Sequence, residues 1–426
     1  MTASLRAGIA RKIISPPKGI YLIGYGKRFG GNRGVRDDLT ATAITFDDGN
    51  QHVTLVTLDL LAINEHTLRE VQRQSHDKLM LCCAHTHSAP VTYADDKSPR
   101  KNRRYLKFLV DQIAAAVRES EEDLQPVQLA WAEGESDIAV NRRERKADGS
   151  IEIGVNPSGG VDRSLAILQI QTPSGEAMAN IVNLACHNTA FGPENQRVSA
   201  DWAGEMRKKV EAETGVPCLY IQGATGDLNP GRVAEEDDER AAIRLGSRVA
   251  ADVLAALMRP VPLQIEAIRF LASEFSLPLD AEANTPEPPP VYKDVLAKEI
   301  GLPKFTVDPL LNYLYPWKSS PRAENGVWTI PVKMTLLQIG DFSLAGMGME
   351  VFHEVGLAIK ADSPAWRRMF SGVCNGCVGY LPSAAEYALG GYEVDVVPYF
   401  YRLPGRLTAD SAAIAIQAFR QGWERD

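Results

Sequence analysis

Three of the chain's seven histidines stand where an apolar run gives way to a polar turn. His85 and His87 close the segment LMLCCAHTHSAP (79–90), and His187 closes IVNLACHNTA (181–190). An imidazole offers a metal its neutral nitrogen at about 2.0 Å, or carries a proton near neutral pH. Side chains two apart on an extended chain point to one side, so His85 and His87 can share a cavity, one binding metal and one moving protons. Two separate strands that each deliver an imidazole to a sheet edge suit a mononuclear zinc site. His66, His76 and His353 read as surface or helix residues, and His52 begins a strand with no partner in view.

The surrounding pattern supplies elements able to hold such residues. Strands are predicted at Gln51–Leu61, Lys78–Ala84, Val127–Ala132, Leu165–Gln171, Ala177–Cys186 and Pro217–Gln222. Helices are predicted at Glu65–His76, Arg103–Glu119, Trp202–Glu213 and Ala234–Leu257. Past Pro260 the expectation is a strand at Leu263–Leu277, strands at Trp328–Ile339 and Phe342–Gly346, a helix starting near Glu350, and an amphipathic helix at Ala409–Glu424. Between them DAEANTPEPPP (280–290) reads as a proline-rich surface loop, because consecutive prolines withhold ladder donors. The alternation predicts an α/β fold, a mixed sheet flanked by helices in a single large domain over 1–426, with a loop or linker excursion at 278–325. No solenoid-length repeat is visible in the residues.

Composition narrows the partners. A net charge of −8 and a pI near 5.6 argue against nucleic acid, and the basic cluster Lys97–Arg104 is short. The first residues lack a continuous apolar leader, and no segment reaches the roughly eighteen apolar residues of a membrane span, so a cytoplasmic protein without an integral membrane segment is expected. Six cysteines in 426 residues are too few for a disulfide scaffold. Cys374 and Cys377 form a C-x-x-C without the second ligand pair of a structural zinc site, so a structural reading is preferred. Gly24, Gly26 and Gly30 lack dinucleotide-fingerprint spacing.

Several motifs together carry a family likeness: GIARKIISPP with LIGYGKR, LDL ending at Asp59, HTHSAP, Asn141–Arg142, ACHNT, SADWAG, GATGDLNP, GMGMEVF and AAEYALGGYE. In order and approximate spacing they resemble the catalytic domain of the neutral, non-lysosomal ceramidases. The resemblance implies a zinc-dependent amidase whose Zn2+ ligands are His85, His187, Glu350 and Tyr387, with Tyr392 the competing tyrosine. It implies His87 as proton carrier and Arg142 and Tyr399 as oxyanion donors, Arg143 being the competing arginine. Substrate contacts are expected from Gly24, Tyr25 and Asn229. The last stands where family members usually have serine, so the expected substrate is an N-acyl amide, small or lipid-like, that need not be ceramide. The family's separate immunoglobulin-like C-terminal domain has no counterpart in these residues. An esterase or lactonase on the same scaffold, or an idle relative that binds a lipid or metabolite, are the competing expectations.

Overall fold

The computed structural model describes residues 5–425 except 95, 97, 282–286, 315–319 and 325. Its sheets repeat one plan three times. In the first, β1 (Arg6–Ile13), β2 (Thr40–Asp47) and β3 (His52–Leu58) form an antiparallel meander. Helix α1 (Glu65–Gln74) then crosses over, so that β4 (Leu79–Cys83) returns parallel to β3, and α2 (Arg100–Glu122) covers the unit. The second runs β5 (Gln128–Glu135), β6 (Ser164–Gln171), β7 (Ala177–Leu184), α3 (Asp201–Thr214), β8 (Cys218–Gln222) and α4 (Asp238–Ala256), with β8 parallel to β7.

The third unit pairs the long strands β9 (Ile268–Asp280) and β10 (Val327–Ile339), whose connection carries helices α5 (Tyr292–Ile300) and α6 (Val307–Leu314). It continues through β11 (Phe342–Met347), α7 (His353–Ala361), β12 (Arg367–Ser371), which is parallel to β11, and α8 (Ser411–Trp423). The proline-rich loop expected at 280–290 lies partly outside the described residues, at 282–286, as does Lys97 of the basic cluster. The repetition is one of topology, which is why the residues alone show no repeat.

This plan fixes where chemistry can sit. A parallel strand pair reached by a helical crossover is buried on both faces, so its strands read as continuous apolar runs. All five residues of β4 and all five of β8 are buried. One core cluster joins Met80 and Cys82 of β4 to Leu219 and Ile221 of β8 and to Met369 of β12, so the edge strands of the three units meet at the centre. The chain leaving the carboxyl ends of β4, β7 and β11 supplies His85, His187 and Glu350. The expected α/β architecture with a mixed sheet is therefore present as three mixed sheets around a shared core. Among the described residues no helix is long and apolar enough to cross a membrane.

Candidate metal centre

His85 follows β4 in the left-handed backbone region, at φ 59°, a strained conformation for a residue with a β-carbon. The turn is held by the His85 amide donating to the Leu60 carbonyl (2.9 Å). His187 follows β7, and the Asn188 side-chain Nδ2 donates to the Ala84 and Ala200 carbonyls (both 3.3 Å), joining the two histidine turns. Asp201, in the SADWAG motif, caps the amides of Ala190, Phe191 and Trp202, and the Trp202 indole donates to the His187 carbonyl (2.8 Å). These motif residues build the turn rather than enter the site.

Glu350 lies in a two-residue strand, Glu350–Val351, paired in parallel with Tyr380–Leu381. Helix α7 starts at His353, not near Glu350, so the carboxylate is no helix cap. The GATGD loop packs against this strand: Gly226 donates to the Val351 carbonyl (2.8 Å), and a β-carbon at Gly226 would stand 2.8 Å from the Glu350 carbonyl oxygen. Asp227 accepts from the His353 amide (2.8 Å), the His353 ring (2.6 Å) and Asn141 (3.3 Å), so His353 has a structural partner that its sequence context concealed.

The three chain segments bring His85 Nε2 to 3.1 Å and His187 Nε2 to 3.3 Å from Glu350 Oε2. His85 Nδ1 faces the Leu61 carbonyl at 2.7 Å, and His187 Nδ1 faces the carbonyls of Thr225 (2.8 Å) and Leu228 (3.1 Å). A nitrogen facing only carbonyl oxygens must carry the hydrogen, which leaves the neutral ring a lone pair at Nε2. Those two nitrogens and Glu350 Oε2 are buried without a hydrogen-bond partner. Three acceptors facing one another are relieved by a cation, or by a shared proton, between them. The 3.1 and 3.3 Å separations match the roughly 3.3 Å edge of a tetrahedron with ligands about 2.0 Å from zinc. Carbonyls behind metal-binding imidazoles are also the usual supporting arrangement. The residues present fit a zinc ion.

Burial, and then the nearby Arg142 guanidinium, pushes His187 down to about 4, so its ring is neutral at physiological pH. His87 completes the cluster, its ring centroid 5.0 Å from that of His85 and 5.5 Å from that of His187. Burial and those two rings depress its pKa well below the ordinary value.

A second group, His52, His76 and Glu121, also has ligand-type atoms close together, yet its protons are arranged the other way. The Lys78 amide donates to His76 Nδ1 (3.1 Å), which puts the ring hydrogen on Nε2, directed at Thr54 Oγ1 (3.0 Å). Thr54, Thr45 and Ser120 continue that chain to the Val117 carbonyl, each hydroxyl donating once. Here the nitrogen facing Glu121 carries a hydrogen, and the group is satisfied without a metal.

Around the centre, Arg142 donates from Nε to Glu393 (2.9 Å) and from Nη1 to Asn229 Oδ1 (3.3 Å), and its guanidinium lies 5.3 Å over the Tyr380 ring. Arg143 takes the other oxygen of Glu393 (2.6 Å) and adds Glu386 (2.6 Å) and the Gly390 carbonyl. The tyrosine brought to Glu350 is Tyr380, whose hydroxyl interacts with the Glu350 carboxylate and with Arg142. Tyr387 sits on a separate helical turn with its ring 5.8 Å from the Arg406 guanidinium. Tyr399 packs with the apolar cluster of Leu296, Ile300 and Phe400, near Arg406 and Asp395. Tyr392, the alternative tyrosine, packs edge-on to Tyr380 with centroids 6.5 Å apart. The C-x-x-C cysteines take different partners, Cys374 the Cys82 sulfur (3.9 Å) and Cys377 the Tyr401 hydroxyl (3.1 Å), in keeping with a structural role.

Known proteins share this arrangement of chain. Neutral ceramidase A of Dictyostelium discoideum is 22% identical over 225 residues, which is 46% of this chain and 32% of that protein, about a third of the relative's length. The crystal structure of neutral ceramidase from Pseudomonas aeruginosa superposes with a TM-score of 0.73 at 18% identity, covering 98% of this chain and 74% of the other. A ceramidase complexed with C2 gives 0.73 at 17% identity with the same coverage. Residues 7–222 match the N-terminal region of the neutral/alkaline non-lysosomal ceramidases, and the chain belongs to that family.

Proposed function

We propose that the protein is a zinc-dependent hydrolase of N-acyl amides, small or lipid-like, whose acyl and amine halves need not be those of ceramide. The observation that carries this is the set of buried polar atoms, His85 Nε2, His187 Nε2 and Glu350 Oε2, turned on one another without a hydrogen-bond partner. Tyr380, paired with Glu350, replaces Tyr387 as the fourth protein ligand in this reading. Zinc held there supplies Lewis acidity and lowers the pKa of a bound water toward about 7.

The chain's own groups do the rest. His87, neutral and free of hydrogen bonds, accepts the proton of the attacking water and returns it to the departing amine. Arg142, held by Glu393 and Asn229, presents a fixed positive charge to the oxygen on which charge develops, a contribution of about 3 kcal/mol per donor in hydrolases. Tyr399 lies with Asp395 and Arg406 and is not assigned that task. Asn229 commits its carbonyl to Arg142, which leaves its amide hydrogens as donors where a serine hydroxyl would both donate and accept. That difference supports a substrate other than ceramide.

Metal analysis of protein purified without chelator, with hydrolysis of N-acyl amines of short and long chain, tests the proposal. One zinc per chain and turnover of at least one amide are expected. Loss of zinc is expected in His85→Ala, and retained zinc with slow turnover in His87→Ala. Wild-type protein without stoichiometric zinc, or unchanged zinc in a His85→Ala, His187→Ala double variant, refutes it.

A further inference from the structure

His87 differs from its two neighbours in how its ring is held. His85 and His187 are each tied through Nδ1 to backbone carbonyls, whereas both ring nitrogens of His87 are buried and unpartnered. Nothing polar therefore sets its rotamer. Packing must do so, against the His85 and His187 rings on one side and the loop that carries Gly24 and Tyr25 on the other.

The Tyr25 ring meets His87 edge-on, with centroids 5.0 Å apart and planes at 60°. On another side the backbone of Gly24 lies so close that a β-carbon there would stand 2.8 Å from His87 Cγ and Nδ1 and 2.9 Å from its Cβ. Gly24 also has φ +111°, a conformation that side chains rarely allow. Two glycine-specific demands thus coincide at the residue touching the ring.

The loop itself is fastened. The Tyr25 hydroxyl donates to the Phe191 carbonyl (2.8 Å), just past the His187 turn. Arg28, 1% exposed, stacks over the Tyr25 ring at 4.9 Å. Its guanidinium donates to the carbonyls of Ile23 (3.4 Å), Gly192 (3.0 Å), Pro193 (3.4 Å) and His87 itself. A buried guanidinium spent on backbone carbonyls locks this loop to both histidine turns at once.

We infer that Gly24 and Tyr25, braced by Arg28, are positioning residues for His87 rather than substrate contacts. The inference rests on the role given to His87 above. A ring held by shape alone stays in place yet keeps both nitrogens free, as a group that takes a proton at one point and delivers it at another requires. A ring anchored through Nδ1, like that of His187, has only one nitrogen to offer.

The test compares zinc-loaded wild type with Gly24→Ala, Tyr25→Ala and Tyr25→Phe by crystal structure, metal content and steady-state kinetics on the amide that wild type turns over best. Gly24→Ala and Tyr25→Ala are expected to keep one zinc per chain, to show a displaced His87 ring, and to lose about 100-fold in kcat with KM little changed, since a 1 Å misplacement has that effect. Tyr25→Phe keeps the ring edge and loses only the bond to Phe191, so it is expected to stay close to wild type. An unmoved His87 ring, or a rise in KM with kcat retained, overturns the inference. If Gly24→Ala does not fold, Tyr25→Ala carries the same decision. If wild type hydrolyses no amide, the proposed function fails, and the position of the ring still decides the clamp.

Discussion

Replacing Glu350 by glutamine should change sign with the metal. In the chelated protein at pH 8, Glu350 Oε2 is buried without a hydrogen-bond partner, facing the ring nitrogens of His85 and His187 at 3.1 and 3.3 Å. An unsatisfied buried group of this kind costs about 1–3 kcal/mol. Glutamine removes the charge and brings an N–H that one of the two imidazole nitrogens can accept. With zinc present the balance reverses, because the anionic ligand is lost. A metal free at about 1,000 times its Kd stabilises the folded chain by about 4 kcal/mol. A protein of 426 residues unfolds with an entropy of about 0.9 kcal/mol/K, so wild type should lose about 4–5 °C in Tm on chelation. The chelated Glu350→Gln variant should melt about 1–3 °C above chelated wild type, yet gain less than wild type from added zinc. Scanning calorimetry with and without chelator gives all four values. A His85–Glu350 ion pair held by a proton predicts otherwise: no effect of chelator, and a lower Tm for the variant throughout. That outcome would refute the metal reading of the three acceptors.

Tyr380→Phe should weaken zinc binding about 10- to 100-fold in competition with a chelator, while Tyr387→Phe and Tyr399→Phe leave the affinity where it is, because only Tyr380 meets Glu350 and Arg142. Asp227→Ala should lower the urea-unfolding free energy by about 2–4 kcal/mol, since the His353 amide, the His353 ring and Asn141 all lose their acceptor. Burial, and then His52, pushes His76 down to about 4 from an ordinary 6.5. Between those values the unfolded chain binds a proton that the folded chain refuses, so stability falls as pH drops from about 6.5 to 4. In His76→Gln the chemical-denaturation midpoint should fall less over that window; an unchanged slope would remove His76 from the account.

The strands that bear the site were legible because they are buried on both faces. LMLCC and AMANIVNL read as strands without tertiary knowledge, and their ends located His85 and His187 within a residue or two of the observed boundaries. β1 was not legible. RAGIARKI contains three basic residues, and what makes it a strand is its eight-residue antiparallel register with β2, while Arg11 and Lys12 find partners as far off as Glu211 and Glu119. Helices α5 and α6 were missed for a related reason. They have nine and eight residues, and their apolar faces, Leu296, Ile300, Val307 and Leu311, close on Phe400 from a remote segment. The threefold plan has no signature in the residues, because it consists of which strands pair.

The tyrosine shows the limit of spacing most directly. Tyr387 and Tyr399 are twelve residues apart, and so are Tyr380 and Tyr392. A rule based on that interval fits both pairs, and the motif AAEY drew the choice to the later one. What selects between them is a hydrogen-bonded register: Glu350 lies opposite Tyr380 in a parallel ladder of two residues, with the Glu350 amide donating to the Gly379 carbonyl at 2.9 Å. Shifting by seven residues carries the chain out of that ladder and onto the helical turn of Ser383 to Tyr387, where the ring meets Arg406 instead. Arg142 and Arg143 divide in the same way. Both reach Glu393, by different oxygens, but only Arg142 lies over Tyr380, while Arg143 also clamps Glu386 and Gly390. Residue types point to a candidate metal centre, but which member of a repeated type is brought to it is decided by strand pairing between segments far apart in the chain.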